Sequence, residues 1–149
     1  MEFIYRPARG DDVAACIDIR GKTRENAFSA ADLAAVGVTL ESWTAAVQDG
    51  SLPGYVATVD GKVAGYCFGD TQAGEIVVLA LLPDFEGYGA GKTLLNLVVR
   101  DLKALGFQRL ILGCASDPAV RSYGFYRHLG WTSTGTFDDR GDEVLELLA

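Results

Sequence analysis

The sequence predicts an α/β domain, and three stretches carry that expectation. Residues 55–59 and 63–68 are β-prone runs flanking Asp60-Gly61-Lys62, the pattern of an antiparallel hairpin. Residues 75–82 read Glu-Ile-Val-Val-Leu-Ala-Leu-Leu, a nearly continuous apolar run of strand length. Such a run is expected of a strand covered on both faces in the middle of a sheet. Residues 92–105 place Leu94, Leu95, Val98, Leu102 and Leu105 on one helical face before Gly106 ends it.

The other elements follow in order. Residues 3–7 form a short β-like run, and Asp11-Asp12 then supplies carboxylates where a helix start favours them, ahead of Val13, Cys16 and Ile17. Two weaker helical stretches, 30–36 and 40–48, are separated by Gly37 and closed by Asp49-Gly50. Residues 109–114 read as another buried strand. Pro118 then suits the first turn of a helix carrying Val120, Tyr123, Tyr126 and Leu129 and closing at Gly130. A final hairpin, 132–137 and 143–148, turns at Asp138-Asp139-Arg140-Gly141-Asp142.

With 149 residues, 49% of them apolar and 22% charged, the whole chain, 1–149, fits one folded domain. No run approaches the roughly 18 apolar residues of a membrane span, and the first residues lack a secretory apolar stretch, so a cytoplasmic location is expected. Cys16, Cys67 and Cys114 are widely spaced in apolar surroundings, which predicts buried reduced thiols rather than disulfides or a metal site. A net charge of -7 argues against a nucleic-acid partner, because phosphate neutralisation needs clustered Lys and Arg. A neutral or cationic substrate suits it better.

The informative segment is Leu79-Ala80-Leu81-Leu82-Pro83-Asp84-Phe85-Glu86-Gly87-Tyr88-Gly89-Ala90-Gly91-Lys92-Thr93, with three glycines in five residues between the apolar strand and the amphipathic helix. Glycines there permit positive φ and close approach of a ligand, and amides at the helix start direct their dipoles at an anion. A tight turn needed only for packing is the plain alternative. The Gly-Ala-Gly-Lys-Thr run also invites a P-loop reading, but that motif needs glycine five positions before Gly91, and position 86 is Glu.

The stretch from Leu79 resembles the acetyl-CoA loop of the GNAT superfamily of N-acetyltransferases, Leu-x-Val-x-Pro, then Gln or Arg, two residues and Gly-x-Gly. Leu81 takes the usual Val, and Glu86 stands where Gln or Arg is usual. The Glu86 side chain is expected to turn away from the phosphates. A second stretch, Arg121-Ser122-Tyr123-Gly124-Phe125-Tyr126-Arg127-His128-Leu129-Gly130-Trp131, resembles the family's helix ending in Phe-Tyr, three residues, then Gly-Phe or Gly-Trp. The Asn often found seven residues before this Tyr is replaced by Ala119, and Asp117 is out of register.

The resemblance implies a mixed, mostly antiparallel sheet of about six or seven strands with helices on both faces, splayed near residue 81 to admit the cosubstrate. It implies pyrophosphate binding by Gly87, Tyr88, Gly89, Ala90, Gly91 and Lys92, with Thr93 at the edge, and pantetheine pairing along Leu79, Ala80 and Leu81. The implied reaction is direct attack of an amine on the thioester of acetyl-CoA, with no metal. Tyr126 is the implied proton donor to the leaving sulfur; on helical spacing alone it would be a core tyrosine. Glu75 resembles the strand glutamate that draws the amine proton through water, and its plain alternative is a solvated strand-end carboxylate.

Acceptor selection is expected of residues 23–28, the weak helices up to Trp43, and the acidic tip Asp138, Asp139 and Asp142. His128 is expected to be a bystander. The acceptor is a small-molecule amine or a protein amino group, with neither nucleic acid nor membrane as partner, and the resemblance admits a homodimer. Two other readings stay open at this point: a regulatory module that binds CoA without turnover, and a nucleotide-binding protein using residues 87–93.

Overall fold

The computed structural model describes residues 1–25 and 27–149, and its centre is a seven-stranded sheet in the order β1-β2-β3-β4-β5-β7-β6. The strands are β1 Ile4–Pro7, β2 Gly54–Val59, β3 Lys62–Asp70, β4 Glu75–Leu81, β5 Arg109–Cys114, β6 Thr132–Phe137 and β7 Glu143–Leu148. Every neighbouring pair is antiparallel except β4 with β5. The mixed sheet and its helices match the expected fold class, and β4 is the central strand. The β2–β3 turn is Asp60-Gly61 with φ of 52° and 77°, the left-handed pair that a two-residue hairpin requires.

Among the described residues five α-helices flank the sheet: α1 Val13–Arg20, α2 Ala30–Ala35, α3 Leu40–Gln48, α4 Ala90–Ala104 and α5 Arg121–His128. On one face α4 and α5 bury Leu94, Leu95, Val98, Leu102 and Tyr126 against Ile76, Cys67 and Leu110. On the other, α1 and α3 bury Val13, Cys16, Ile19 and Trp43 against Val56, Tyr66 and Phe68. Trp43, Tyr66 and Phe68 meet with ring centroids 5.4 to 5.8 Å apart. The three cysteines are free and buried, as their apolar settings predict.

Asp12 ties β1 to α1. Its carboxylate accepts two bonds from the Arg6 guanidinium at 2.8 Å and one from the Arg9 amide at 2.8 Å. The Arg6 bonds hold the Asp12 carboxyl below the usual carboxylate range against the opposing effect of burial.

Three expectations need correction. Strands β4 and β5 pair only at Glu75 and Ile111, so the splay opens immediately after Glu75 rather than near residue 81. Strand β4 is not covered on both faces: Val77 is 47% exposed, and Leu79 and Leu81 are half-buried where the sheet opens. Helix α5 starts at Arg121 rather than at Pro118, because residues 117–120 form a separate turn in which the Asp117 carboxylate accepts from the Ala119 amide.

Candidate active site

A bulge in β4 decides which way its side chains face. Phe68 pairs with Val78 and Gly69 with Ile76, so Val77 is the extra residue. Ile76, Leu79 and Leu81 consequently pack with the α4–α5 core, while Val78 and Ala80 belong to the α1–α3 core. One strand thus serves two cavities on either side of the splay.

The first cavity, about 400 Å³, is lined by the end of β4, the glycine loop and the starts of α4 and α5. Gly87 and Gly89 adopt φ of 85° and 86°, and Gly89 is the N-cap of α4. The helix begins at Ala90, two residues before the expected start, so Ala90, Gly91 and Lys92 form its first turn with amides that have no intrahelical acceptor. Among the described residues no backbone bond is donated by the amides of Gly87, Tyr88 or Gly89. A Cβ added at Gly87 or Gly89 would meet nothing within 4 Å, so glycine is needed there for its backbone angles rather than to avoid a clash.

Of the predicted binding residues, Leu79, Ala80, Leu81, Gly87, Gly89, Ala90, Gly91 and Lys92 line this cavity. The side chains of Tyr88 and Thr93 do not: Tyr88 is 56% exposed with its ring against Phe3, and the Thr93 hydroxyl donates back to the Gly89 carbonyl at 3.2 Å. Tyr126 lines the cavity from α5, its ring set edge-on to Phe125 and Trp131. Among the described residues nothing hydrogen-bonds its hydroxyl. Burial, reinforced by Cys67 and Cys114 and opposed by Arg20, pushes its pKa far above the ordinary phenol value and keeps the proton on.

Glu86 does not turn away. Its carboxylate, 13% exposed, accepts from Arg24 Nε at 3.0 Å and Arg121 Nη1 at 2.9 Å, and all three residues line the first cavity. Glu25 accepts from the Arg121 amide at 3.0 Å. These contacts fasten the segment after α1 to the glycine loop and to the start of α5.

Glu75 lies elsewhere, in a second cavity of about 380 Å³ lined by α1, α2, α3, β4, β5 and the β6–β7 tip. It is half-buried there, and burial together with Asp70 and Asp138 raises its pKa while Arg140 opposes. Tyr126 and Glu75 are therefore not in one pocket. Arg20 lines both cavities and is what they have in common.

A sequence model described as the acetyltransferase (GNAT) family matches residues 14–131. The chain belongs to the GNAT family. A curated relative from Prochlorococcus marinus, named an uncharacterized N-acetyltransferase ycf52-like, is 43% identical over 54 residues, a stretch that is 36% of this chain and only 28% of that relative. The fold is shared with PaiA N-acetyltransferase of Thermoplasma acidophilum, solved in complex with coenzyme A, at a TM-score of 0.82 and 19% identity over the whole of both chains. It is also shared with yncA, a putative acetyltransferase of Salmonella typhimurium solved with acetyl-CoA, at 0.77 and 21% identity over 99% of this chain and 94% of that one.

Within this GNAT fold, the sequence reading missed Arg20, Arg121 and Ser122 as cavity residues. The Ser122 hydroxyl is buried with no hydrogen-bond partner among the described residues. Of the residues proposed for acceptor selection, Thr23, Arg24 and Glu25 line the first cavity and Phe28, Leu33, Val36, Val38, Ser42, Trp43 and Asp138 the second, whereas Asp139 and Asp142 line neither. Asn26 of that set lies outside the described residues. Asp138 also holds its own turn, accepting from the amides of Arg140 and Asp142. Among the described residues no helix is long and apolar enough to cross a membrane.

Proposed function

We propose that this chain is an acetyl-CoA dependent N-acetyltransferase acting in the cytoplasm, with a primary amine of a small molecule or protein as acceptor. The observation that carries it is the junction of an open glycine loop, a helix N-terminus and a buried tyrosine on one cavity beside the splayed strand β4. Two of the solved neighbours hold CoA or acetyl-CoA, which supports the same ligand here.

The residues present fit that ligand. The amides of residues 87–92 and the Lys92 ammonium would hold the pyrophosphate, since they are donors at a helix start. The unpaired edge of β4 at Leu79, Ala80 and Leu81 would take the pantetheine arm as an added strand. The buried Ser122 hydroxyl supplies a polar group otherwise without a partner. Acetyl-CoA, when bound, supplies the acetyl group as a thioester.

The chain's own work is then proton management. An alkylammonium loses its proton before its nitrogen can attack, and Glu75, whose pKa is raised, is suited to receive that proton through water. As the new C–N bond forms and the C–S bond breaks, the nitrogen releases its second proton to solvent and the Tyr126 hydroxyl donates a hydrogen bond to the departing thiolate. Its suppressed ionisation keeps it a donor across the physiological range.

Calorimetric titration with acetyl-CoA and, separately, with ATP tests the reading. Micromolar binding of acetyl-CoA, with thiol release when amines are added, is the expected result. Binding of ATP alone, or of neither ligand, overturns it.

A further inference from the structure

The second cavity combines an apolar wall with a small set of charged side chains. Its wall from α2, α3 and their flanking residues is apolar: Leu33, Val36, Val38, Trp43, Ala46 and Leu52. Ser42, the polar exception, is occupied, its hydroxyl donating to the Gly37 and Thr39 carbonyls. The charged groups enter from other elements: Arg20 from the end of α1, Glu75 from β4, and Asp138 and Arg140 from the β6–β7 tip. The apolar wall continues to the surface, where Val36 is 60% and Val77 47% exposed. Trp43, 6% exposed, has its indole Nε1 buried with no partner among the described residues.

Resting on the acetyltransferase reading, we propose that this cavity selects a free α-amino acid with an apolar side chain as the acceptor. Both signs of charge share the cavity with an extensive hydrocarbon lining, which is the charge pattern of that ligand class. Glu75 and Asp138 face the ammonium; Arg20, common to both cavities, faces the carboxylate carried by the carbon next to the reacting nitrogen. A carboxylate-binding guanidinium makes this a recognition built on paired charges. A polyamine fits poorly, because a second ammonium would sit against Leu33, Val38 and Leu52 with no anion to pair with. The volume falls within the range of roughly 300–1,000 Å³ typical of small-ligand pockets.

Trp43 gives a readout independent of turnover. The chain is titrated with L-leucine, with 3-methylbutylamine, which is leucine without its carboxylate, and with spermidine, following tryptophan emission; acetyl-CoA binding and thiol release are measured in parallel. Leucine is expected to saturate an emission change about tenfold or more tighter than 3-methylbutylamine, and spermidine to leave it unchanged. Arg20→Gln is expected to erase leucine's advantage over 3-methylbutylamine. Val36→Asp, at an exposed position on the mouth, weakens leucine without loss of folding, and Trp43→Phe removes the signal.

Equal binding of leucine and 3-methylbutylamine, or preference for spermidine, overturns the proposal. Acetyl-CoA binding without any leucine response overturns this cavity assignment alone. A leucine response with no thiol release overturns the transfer reading alone.

Discussion

The cavity beside α4 takes its anion-suited wall from one continuous stretch, the end of β4 through the first turn of α4, and offers mostly backbone amides. The cavity beneath α2 and α3 is walled by side chains drawn from three helices, two strands and a hairpin tip. Backbone recognition at a helix N-terminus reads phosphate and is indifferent to most neighbouring side chains, while the second cavity changes character with each residue replaced. On the proposed reading, binding of the acyl donor would be a property of the fold, and choice of acceptor a property of this particular chain.

Breaking the first wall has the largest expected effect. Gly89→Asp puts a β-carbon on a backbone with φ of 86° and a carboxylate at the start of α4, where an anion is to bind. Affinity for acetyl-CoA is expected to fall by roughly 100-fold or more, read by calorimetry beside a melting curve that reports folding. Retained affinity would mean that the glycine loop is only a turn.

Next in size are the two residues proposed to handle protons, Tyr126 and Glu75, which sit on opposite sides of the comparison. Tyr126→Phe is expected to lower kcat by about 100-fold with acetyl-CoA affinity unchanged. Full turnover would leave Tyr126 a core tyrosine. For Glu75→Gln the discriminating quantity is kcat/KM against pH. Because burial, Asp70 and Asp138 raise the Glu75 pKa, the acidic limb of the wild-type profile should lie above the ordinary carboxylate value, and the variant should lose that limb. An unchanged profile places the base elsewhere.

How much of this was legible follows from the same contrast. The glycine loop and the Tyr126 helix are runs of neighbours in sequence, so their residue types could be read directly. The hairpins and helix α3 were equally local, set by Asp60-Gly61 and by the apolar spacing around Trp43. Pro118 misled because the Asp117 side chain builds a turn of its own before α5. Glu86 was legible as a departure but not in its consequence, since its partner Arg24 lies 62 residues away. The division of β4 between two cavities depends on a single bulge at Val77, and nothing in an unbroken apolar run announces it.

The support beneath the second cavity can be tested without touching either wall. Asp12 holds α1, which carries Arg20, to β1 through Arg6. Asp12→Asn leaves a guanidinium without its bidentate anion at a largely buried site and is expected to cost about 3 kcal/mol, measured by urea unfolding at pH 7. The folded Asp12 pKa is depressed, so its stabilisation is present above the unfolded value of about 3.9 and is lost as pH falls through the folded value. The gap between wild type and variant should therefore narrow on acidification.

The smallest expected change is the one that best separates charge from architecture. Glu86 places a negative charge on the wall of the anion cavity and spends it on Arg24 and Arg121, which are 58% and 55% exposed. If electrostatics alone matters, Glu86→Gln releases two cations toward an anionic ligand and tightens acetyl-CoA by about threefold, a modest figure because exposed ion pairs are worth at most about 1 kcal/mol. The gain should shrink as salt rises. If instead the two ion pairs serve to fasten the segment after α1 against the loop, the same variant weakens binding, and added salt does not restore it. The sign of the change therefore decides whether Glu86 competes with the ligand or assembles the cavity that receives it.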